Sequence, residues 1–333
     1  MCLYPRFIYN PKYKKNKKNG GNIPPFSDKR VLVIPIGCGN CLLCRKKKAN
    51  SWRNRLIEEC KNDLTGVFVT LTFNSESLKD LFKDINIKEQ SEIIGCKTRR
   101  TKNGYRCRYI YQVKKLNYEL KGYDTDNAIC KRAVRLFCER WRKITGKSPK
   151  HWLITELGGG HSEHVHLHGI IWTDKRKMIK RCWDFGFVWD GYQFRKNYVN
   201  ARTANYITKY MFKVDKNHPN YKPIVLCSKG IGSCYADNRK VDSYRLDNGK
   251  KVALPTYWKN KMYNDEEREQ MWIKLLDENV RYINGKKFAG DDIEGIFNEM
   301  QYMREINEKL GFISEIDEKH ELQYRNLINK KLI

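Results

Sequence analysis

Strand-like runs alternate with helical ones over most of the chain. Val67-Phe68-Val69-Thr70-Leu71-Thr72-Phe73 is β-branched and aromatic over strand length and predicts a central strand. Residues 152–157 and 165–172 read as two more strands around Gly158-Gly159-Gly160, a hairpin. A shorter strand is expected at residues 31–35. Helical spacing marks residues 49–60, which carry Trp52, Arg53 and Arg55, and residues 126–145, where Val134, Phe137, Trp141 and Ile144 recur on one face. Asp126 is the expected N-cap of the second helix, and Gly146 lies past its end. Further helices are predicted at about 77–82, 175–183 and 201–214. Beyond residue 264 the pattern is helical, with Asn264 capping Asp265-Glu266-Glu267. The Arg/Lys-rich segment 97–123 reads as an insertion or a hairpin. Residues 10–30 hold too little apolar surface to fold alone and read as a mobile basic loop.

Charge narrows the class of partner. The 333 residues contain 66 Lys and Arg against 38 Asp and Glu, a formal +28, and 40% hydrophobic content suffices for a core. Residues 264–333 hold 11 basic and 16 acidic side chains, so the excess belongs to residues 1–263. Such a field favours a polyanion. A membrane partner is not expected, because no apolar run approaches the roughly 18 to 20 residues a spanning helix requires. No secretory apolar segment follows Met1. The twelve cysteines are then expected in a reducing compartment, as free thiols or metal ligands.

Four groups of residues carry candidate chemistry. In His164-Val165-His166-Leu167-His168 the alternation places His166 and His168 on one strand face, and Glu156 lies across from His166 if the hairpin turns near Gly160 and His161. Two imidazoles and a carboxylate leave open positions on a divalent ion, as a catalytic site requires. His164 also points to that face, as ligand or outer support, and His151 is read as incidental. Downstream, Tyr206 and Tyr210 stand four residues apart on a helix with Lys209 and Lys213 beside them, two phenols in a basic stripe. These lysines are expected to stabilise the Tyr210 phenolate better than that of Tyr206. Cys38, Cys41 and Cys44 supply thiols at two-residue gaps, with Cys2 or Cys60 to complete a structural zinc knuckle; the spacing also echoes iron–sulfur ligation. Finally, Arg45, Lys46, Lys47, Lys48 and Arg53 read as a phosphate-contacting arm. Each group has a plainer alternative: structural histidines, tyrosines packed in a core, unliganded thiols and a solvated charge run.

Taken together these motifs resemble the replication initiation proteins of Microviridae bacteriophages, gokushovirus type, within the two-tyrosine HUH endonucleases. Val69-Thr70-Leu71-Thr72-Phe73-Asn74 is similar to the first strand motif, His166-Leu167-His168 to the metal motif, and Asn205-Tyr206-Ile207-Thr208-Lys209-Tyr210 to the nucleophile helix. The likeness extends through Cys2, the Cys38/Cys41/Cys44 cluster, Glu156-Leu157-Gly158, Gly186-Phe187-Val188 and Gly230-Ile231-Gly232. His164-Val165 departs from it, since related chains more often carry Arg-Pro there; the Gly158–Ser162 turn also departs.

The resemblance implies an α+β fold with a central antiparallel sheet and flanking helices, an RRM- or palm-like core. A Cys-rich arm over residues 1–65 would precede a nicking and joining core over 66–215, and a C-terminal extension over 216–333 would be helical beyond about 264. It implies a rolling-circle initiator that nicks one strand with Mg²⁺ or Mn²⁺, leaving a 5′-phosphotyrosyl link and a free 3′-OH. The partners implied are single-stranded and origin duplex DNA, with a host replicative helicase and polymerase, in the bacterial host cytoplasm. A plasmid replication protein or relaxase would use the same residues. A non-catalytic zinc-containing nucleic-acid-binding protein is the alternative from another class.

Overall fold

The computed structural model describes residues 1–101, 104–117, 120, 122–159, 163–191, 199–215 and 217–311. The hairpin tip with His161 and the end of the expected C-terminal helical region lie outside these. In chain order, β1 (Arg6–Tyr9) and β2 (Val33–Ile36) form a ribbon, followed by α1 (Leu42–Asn62), β3 (Gly66–Leu71) and α2 (Ser75–Ile85). A long hairpin of β4 (Ile87–Thr101) and β5 (Gly104–Asn117) leads into α3 (Tyr123–Thr145), β6 (Lys150–Leu157) and β7 (Val165–Trp172). Then come α4 (Lys177–Cys182), β8 (Val188–Trp189), α5 (Ala201–Lys209) and β9 (Val225–Cys227). The rest comprises a ribbon of β10 (Ser243–Arg245) and β11 (Lys251–Ala253), α6 (Thr256–Met262), α7 (Asp265–Asp277), a hairpin of β12 (Val280–Ile283) and β13 (Lys286–Ala289), and α8 (Ile293–Lys309).

The fold is α+β. Its centre is a five-stranded sheet in the order β8-β3-β7-β6-β9, antiparallel at every junction. Alternation divides each strand between two faces. Val67, Val69 and Leu71 of β3, Leu153 and Leu157 of β6, and Val165 and Leu167 of β7 pack against Ile129, Val134, Phe137 and Trp141 of α3, with Leu78 and Leu81 of α2 and Ile179 of α4. On the opposite face Trp152, Ile154, Ile170 and Trp172 meet Ala49, Leu56 and Ile57 of α1 and Ala204 and Ile207 of α5. Burying an aliphatic side chain contributes roughly 1.5–3 kcal/mol. A one-residue slip of β7 would exchange Leu167 for two imidazoles in the first core, so burial fixes the register that aims His166 and His168 at the second face.

Helix α1 is tied down from several sides. Lys150 pairs with Glu59 at 2.7 Å and Asp63 at 2.8 Å. The Arg55 guanidinium lies over the rings of Trp52 and Tyr257, at 3.9 and 3.8 Å, and donates to the Ile231 carbonyl. Gly232, at φ +67°, brings its N–H to within 2.6 Å of Glu59 Oε2, where a β-carbon would collide with the Arg55 backbone. The Gly230-Ile231-Gly232 run therefore locks α1 to the sheet.

Several expectations need correction. Residues 10–30 are fastened rather than mobile: Tyr13 is buried and its hydroxyl donates to Glu269 Oε1 at 2.6 Å, while Lys12 pairs with the same carboxylate. The α1 helix begins seven residues earlier than expected, because its first turn buries Leu42 and Leu43 against Ile283, Met300 and Met303 of the C-terminal region. Helix α3 starts at Tyr123 behind Gly122, and Asp126 is a buried residue inside the helix rather than the N-cap. Helix α5 ends at Lys209, with Tyr210 as its C-cap. Beyond residue 264 the helices are interrupted by the β12–β13 hairpin, although Asn264 caps α7 through a reciprocal pair with Glu267 as predicted.

Candidate active site

Register brings the three expected ligands together. Glu156 pairs directly with His166 across β6 and β7, and His168 faces Ile154 on one side and Thr70 of β3 on the other. Glu156 Oε2 lies 2.9 Å from His168 Nε2 and 3.3 Å from His166 Nε2. All three donor atoms fall within 4.8 Å of one another, so one ion could take all three. The rings are oriented from behind: Thr70 Oγ1 is 2.9 Å from His168 Nδ1, and the His164 carbonyl is 3.4 Å from His166 Nδ1. With both Nδ1 atoms as donors, both Nε2 lone pairs face Glu156. His164 thus contributes its carbonyl to the site, and its imidazole does not join the cluster of donors. His151 is buried on Pro149 and Ser228, in keeping with an incidental role.

Burial opposes ionisation of Glu156, but the His166 and His168 nitrogens reverse that and hold its pKa down at about 2. The carboxylate is therefore charged at neutral pH. Hard oxygen plus two imidazole nitrogens is a donor set that suits a divalent ion and leaves positions open for substrate, so the residues fit a catalytic metal.

Helix α5 lays its tyrosines over this cluster. Asn200 caps the helix in a reciprocal pair with Thr203, while Ala204 and Ile207 anchor its apolar face. The Tyr210 ring stacks on His168 at 4.9 Å and 7°, and Phe68 lies parallel to the same imidazole at 6.3 Å. Tyr206 is exposed and meets Phe68 edge-on at 6.0 Å. The Tyr210 hydroxyl donates to the Tyr206 hydroxyl at 2.7 Å.

The lysines do not act as the sequence suggested. Lys213 reaches Glu156 Oε1 at 3.3 Å and lies over the Tyr210 ring at 5.7 Å, whereas Lys209 is exposed at the helix end. Burial, the Tyr206 hydroxyl and the Glu156 charge push the Tyr210 phenol up, opposite to the expected stabilisation of its phenolate. Sequence reasoning missed Arg202, exposed one turn before Tyr206, and the supporting roles of Phe68 and Thr70. The alternation of Phe68, Thr70 and Thr72 against Val67, Val69 and Leu71 was the available signal.

The second metal-type group is also assembled. Cys2, Cys38, Cys41 and Cys44 place their sulfurs within 4.8 Å of one another. The Cys2–Cys41 and Cys38–Cys44 separations are 3.8 and 4.0 Å, close to the tetrahedron edge of about 3.8 Å that a 2.3 Å zinc–sulfur bond implies. Backbone N–H groups of Tyr4 and Cys38 point at Cys2 Sγ, and that of Cys41 at Cys38 Sγ. Burial raises the Cys38 thiol, but the backbone N–H groups of Cys41 and Asn40 outweigh it and bring the pKa to about 7. Four sulfurs so placed fit a closed structural site. Cys60 is buried in the core around Trp152 and takes no part.

Arg45 corrects another expectation. It is buried, with Cys38 and Cys41 as the charges that favour its ionised form, so it faces the sulfur cluster and not solvent. Lys47 and Lys48 are exposed, Lys46 is half-buried, and Arg53 is half-buried with its Nε lacking a hydrogen bond among the described residues.

Residues 116–215 match the family described as Replication-associated protein ORF2. The matched span holds both strands of the metal hairpin and the tyrosine helix, so over this core the chain is similar to replication-associated proteins. Comparison with curated proteins and with solved structures finds no match. Among the described residues no helix is long and apolar enough to cross a membrane.

Proposed function

We propose that the protein initiates rolling-circle replication of a single-stranded DNA bacteriophage by nicking one DNA strand with a tyrosine. The observation that carries this reading is the stacking of Tyr210 on His168, which places two hydrogen-bonded phenols beside the Glu156, His166 and His168 cluster. Bound there, Mg²⁺ or Mn²⁺ would polarise the scissile phosphate. Glu156 and the two imidazoles hold that position, and Thr70 and the His164 carbonyl keep the rings aimed. A phenol oxygen then forms its bond to phosphorus as the 3′-oxygen leaves, giving a 5′-phosphotyrosyl link and a free 3′-OH. The second phenol stands one hydrogen bond away, ready to attack a new junction while the first still carries DNA. The sulfur cluster, filled with Zn²⁺, fastens the N-terminal arm to α8, and the exposed lysines of α1 meet phosphates. Host helicase and polymerase would take over at the freed 3′ end.

The test is incubation of the purified protein with a random pool of single-stranded oligonucleotides and Mn²⁺, followed by denaturing electrophoresis. A covalent protein–DNA band that disappears with chelator is expected. DNA binding without any adduct would leave the zinc-containing binding protein as the better reading.

A further inference from the structure

Phe187 is an aromatic side chain left 66% exposed at the edge of the central sheet. Its surroundings give that exposure a direction. Thr72 N–H donates to the Phe187 carbonyl at 2.9 Å, and Phe187 N–H donates to Thr72 Oγ1 at 3.0 Å, so the ladder between β3 and β8 continues through this pair. Leu71 pairs with Leu167 and with Val188, which puts Thr72 and Phe187 in the row that contains His166 and Glu156. Phe187 therefore lies on the ligand-bearing face, two strands from β7, or about 10 Å at roughly 4.8 Å per strand. The next row holds Trp189, Thr70 and His168, and Trp189 meets Phe68 edge-on at 5.6 Å. Phe68 in turn touches Tyr206 and lies parallel to His168. An aromatic ridge thus runs from the nucleophile helix to the sheet edge and ends in Phe187, whose ring has no aromatic partner among the described residues.

Local backbone geometry holds the ring there. Gly186 passes so close to β3 that a β-carbon would stand 2.5 Å from the Thr72 carbonyl oxygen and 2.8 Å from Phe73 Cα. Asn74 N–H also donates to the Phe185 carbonyl at 2.8 Å. The exposed ring sits on a segment pinned on both sides of it.

We propose that Phe187 is a stacking platform for one unpaired base of the DNA strand, a nucleotide or two from the phosphate held at Glu156, His166 and His168. This rests on the nicking reading for the position of the strand. A base is the occupant the surroundings favour, because the ring shares its face with the phosphate site and the chain carries a formal +28. Stacking tolerates any base, so the platform positions the strand without reading its sequence.

The experiment uses the full chain with Phe187→Ala, Phe187→Leu and Phe187→Tyr, each checked for fold by circular dichroism. Affinity is measured for a fluorescein-labelled thymidine oligonucleotide, for a set carrying 2-aminopurine at successive positions, and for a blunt duplex. Phe187→Ala and Phe187→Leu should weaken single-strand binding about tenfold, within the range of a lost base–aromatic stack. Phe187→Tyr should retain affinity, and duplex binding should not change in any variant. The 2-aminopurine quench seen with the unmodified protein should be lost in Phe187→Ala. Unchanged single-strand affinity and quench in Phe187→Ala, or equal losses on duplex, would overturn the platform. If Phe187→Ala shows the expected losses but the unmodified protein forms no covalent adduct, the platform stands and the nicking reading fails.

Discussion

The Tyr210 hydroxyl donates a hydrogen bond to the Tyr206 hydroxyl over 2.7 Å, so the two phenol oxygens converge on one place above the His168 ring. A phosphate drawn to that place can meet either oxygen, but only one can take the in-line position. The two are unequal. Tyr206 is exposed and accepts the bond, whereas the Tyr210 phenol is held protonated by burial, by Tyr206 and by the Glu156 charge.

Tyr206 is therefore expected to make the first cut, the reverse of what Lys209 and Lys213 suggest in the sequence. Tyr206→Phe should slow adduct formation on a short oligonucleotide by at least about tenfold, equivalent to roughly 1.4 kcal/mol in barrier. Tyr210→Phe should slow it less, and the double variant should form no adduct while still binding DNA. Trypsin cuts after Lys209, which puts the two tyrosines on separate peptides. DNA found mainly on the Tyr210 peptide would reverse the assignment.

Thr70 should matter through His168 rather than through DNA. Replacing it with valine removes the oxygen 2.9 Å from Nδ1 and leaves the imidazole free to turn or to change tautomer. Losses of about 10- to 100-fold in Mn²⁺ affinity are expected, as for other groups that orient metal-binding histidines. Thr70→Ser should restore most of that loss. Titration calorimetry with Mn²⁺ checks both, and His168→Ala should abolish the binding that Thr70→Val only weakens.

Much of this site was legible because it depends on short periods. A two-residue period placed His166 and His168 on one face, and a Gly-rich turn between two strands of the right length put Glu156 opposite His166. A four-residue spacing put Tyr206 and Tyr210 together. What failed depended on distant chain. The α1 helix could be extended to Leu42 only by knowing that Ile283, Met300 and Met303 cover its first turn, and residues 10–30 are fastened by Glu269, which is 256 positions from Tyr13. Electrostatics failed for the same reason: Lys213 looked like a neighbour of Tyr210 along the helix, but its ammonium is drawn across to Glu156.

Arg45 and the lysines that follow it should separate cleanly. Lys46→Ala, Lys47→Ala and Lys48→Ala combined should weaken DNA binding and flatten its salt dependence, by up to about 0.7 to 0.9 in log–log slope for each phosphate no longer neutralised. Arg45→Ala should leave that slope alone and lower the melting temperature, because its guanidinium is buried beside Cys38 and Cys41. A reduced salt slope in Arg45→Ala with unchanged stability would return it to the DNA-binding face.

The sulfur cluster makes a prediction about pH. Only a thiolate reacts with iodoacetamide. In metal-free protein the Cys38 pKa of about 7 lies below the ordinary thiol value of 9.0, so its labelling rate should climb between pH 6 and 8, with a midpoint near 7. Burial holds Cys60 up at about 12 and also raises Cys44, so neither should label appreciably below pH 9. Adding Zn²⁺ should suppress labelling of Cys38 and raise the melting temperature, since a bound ion stabilises the folded chain by mass action. Cys41→Ser should remove both effects. That variant should also loosen α8, whose Asn307 side chain accepts the Leu42 N–H at the first turn of α1, 2.9 Å away. Hydrogen exchange of α8 amides, faster in Cys41→Ser than in the zinc-loaded parent, is the expected sign. Zinc-independent melting, with Cys38 labelling at a midpoint near 9, would show the cluster to be four packed thiols and no metal site.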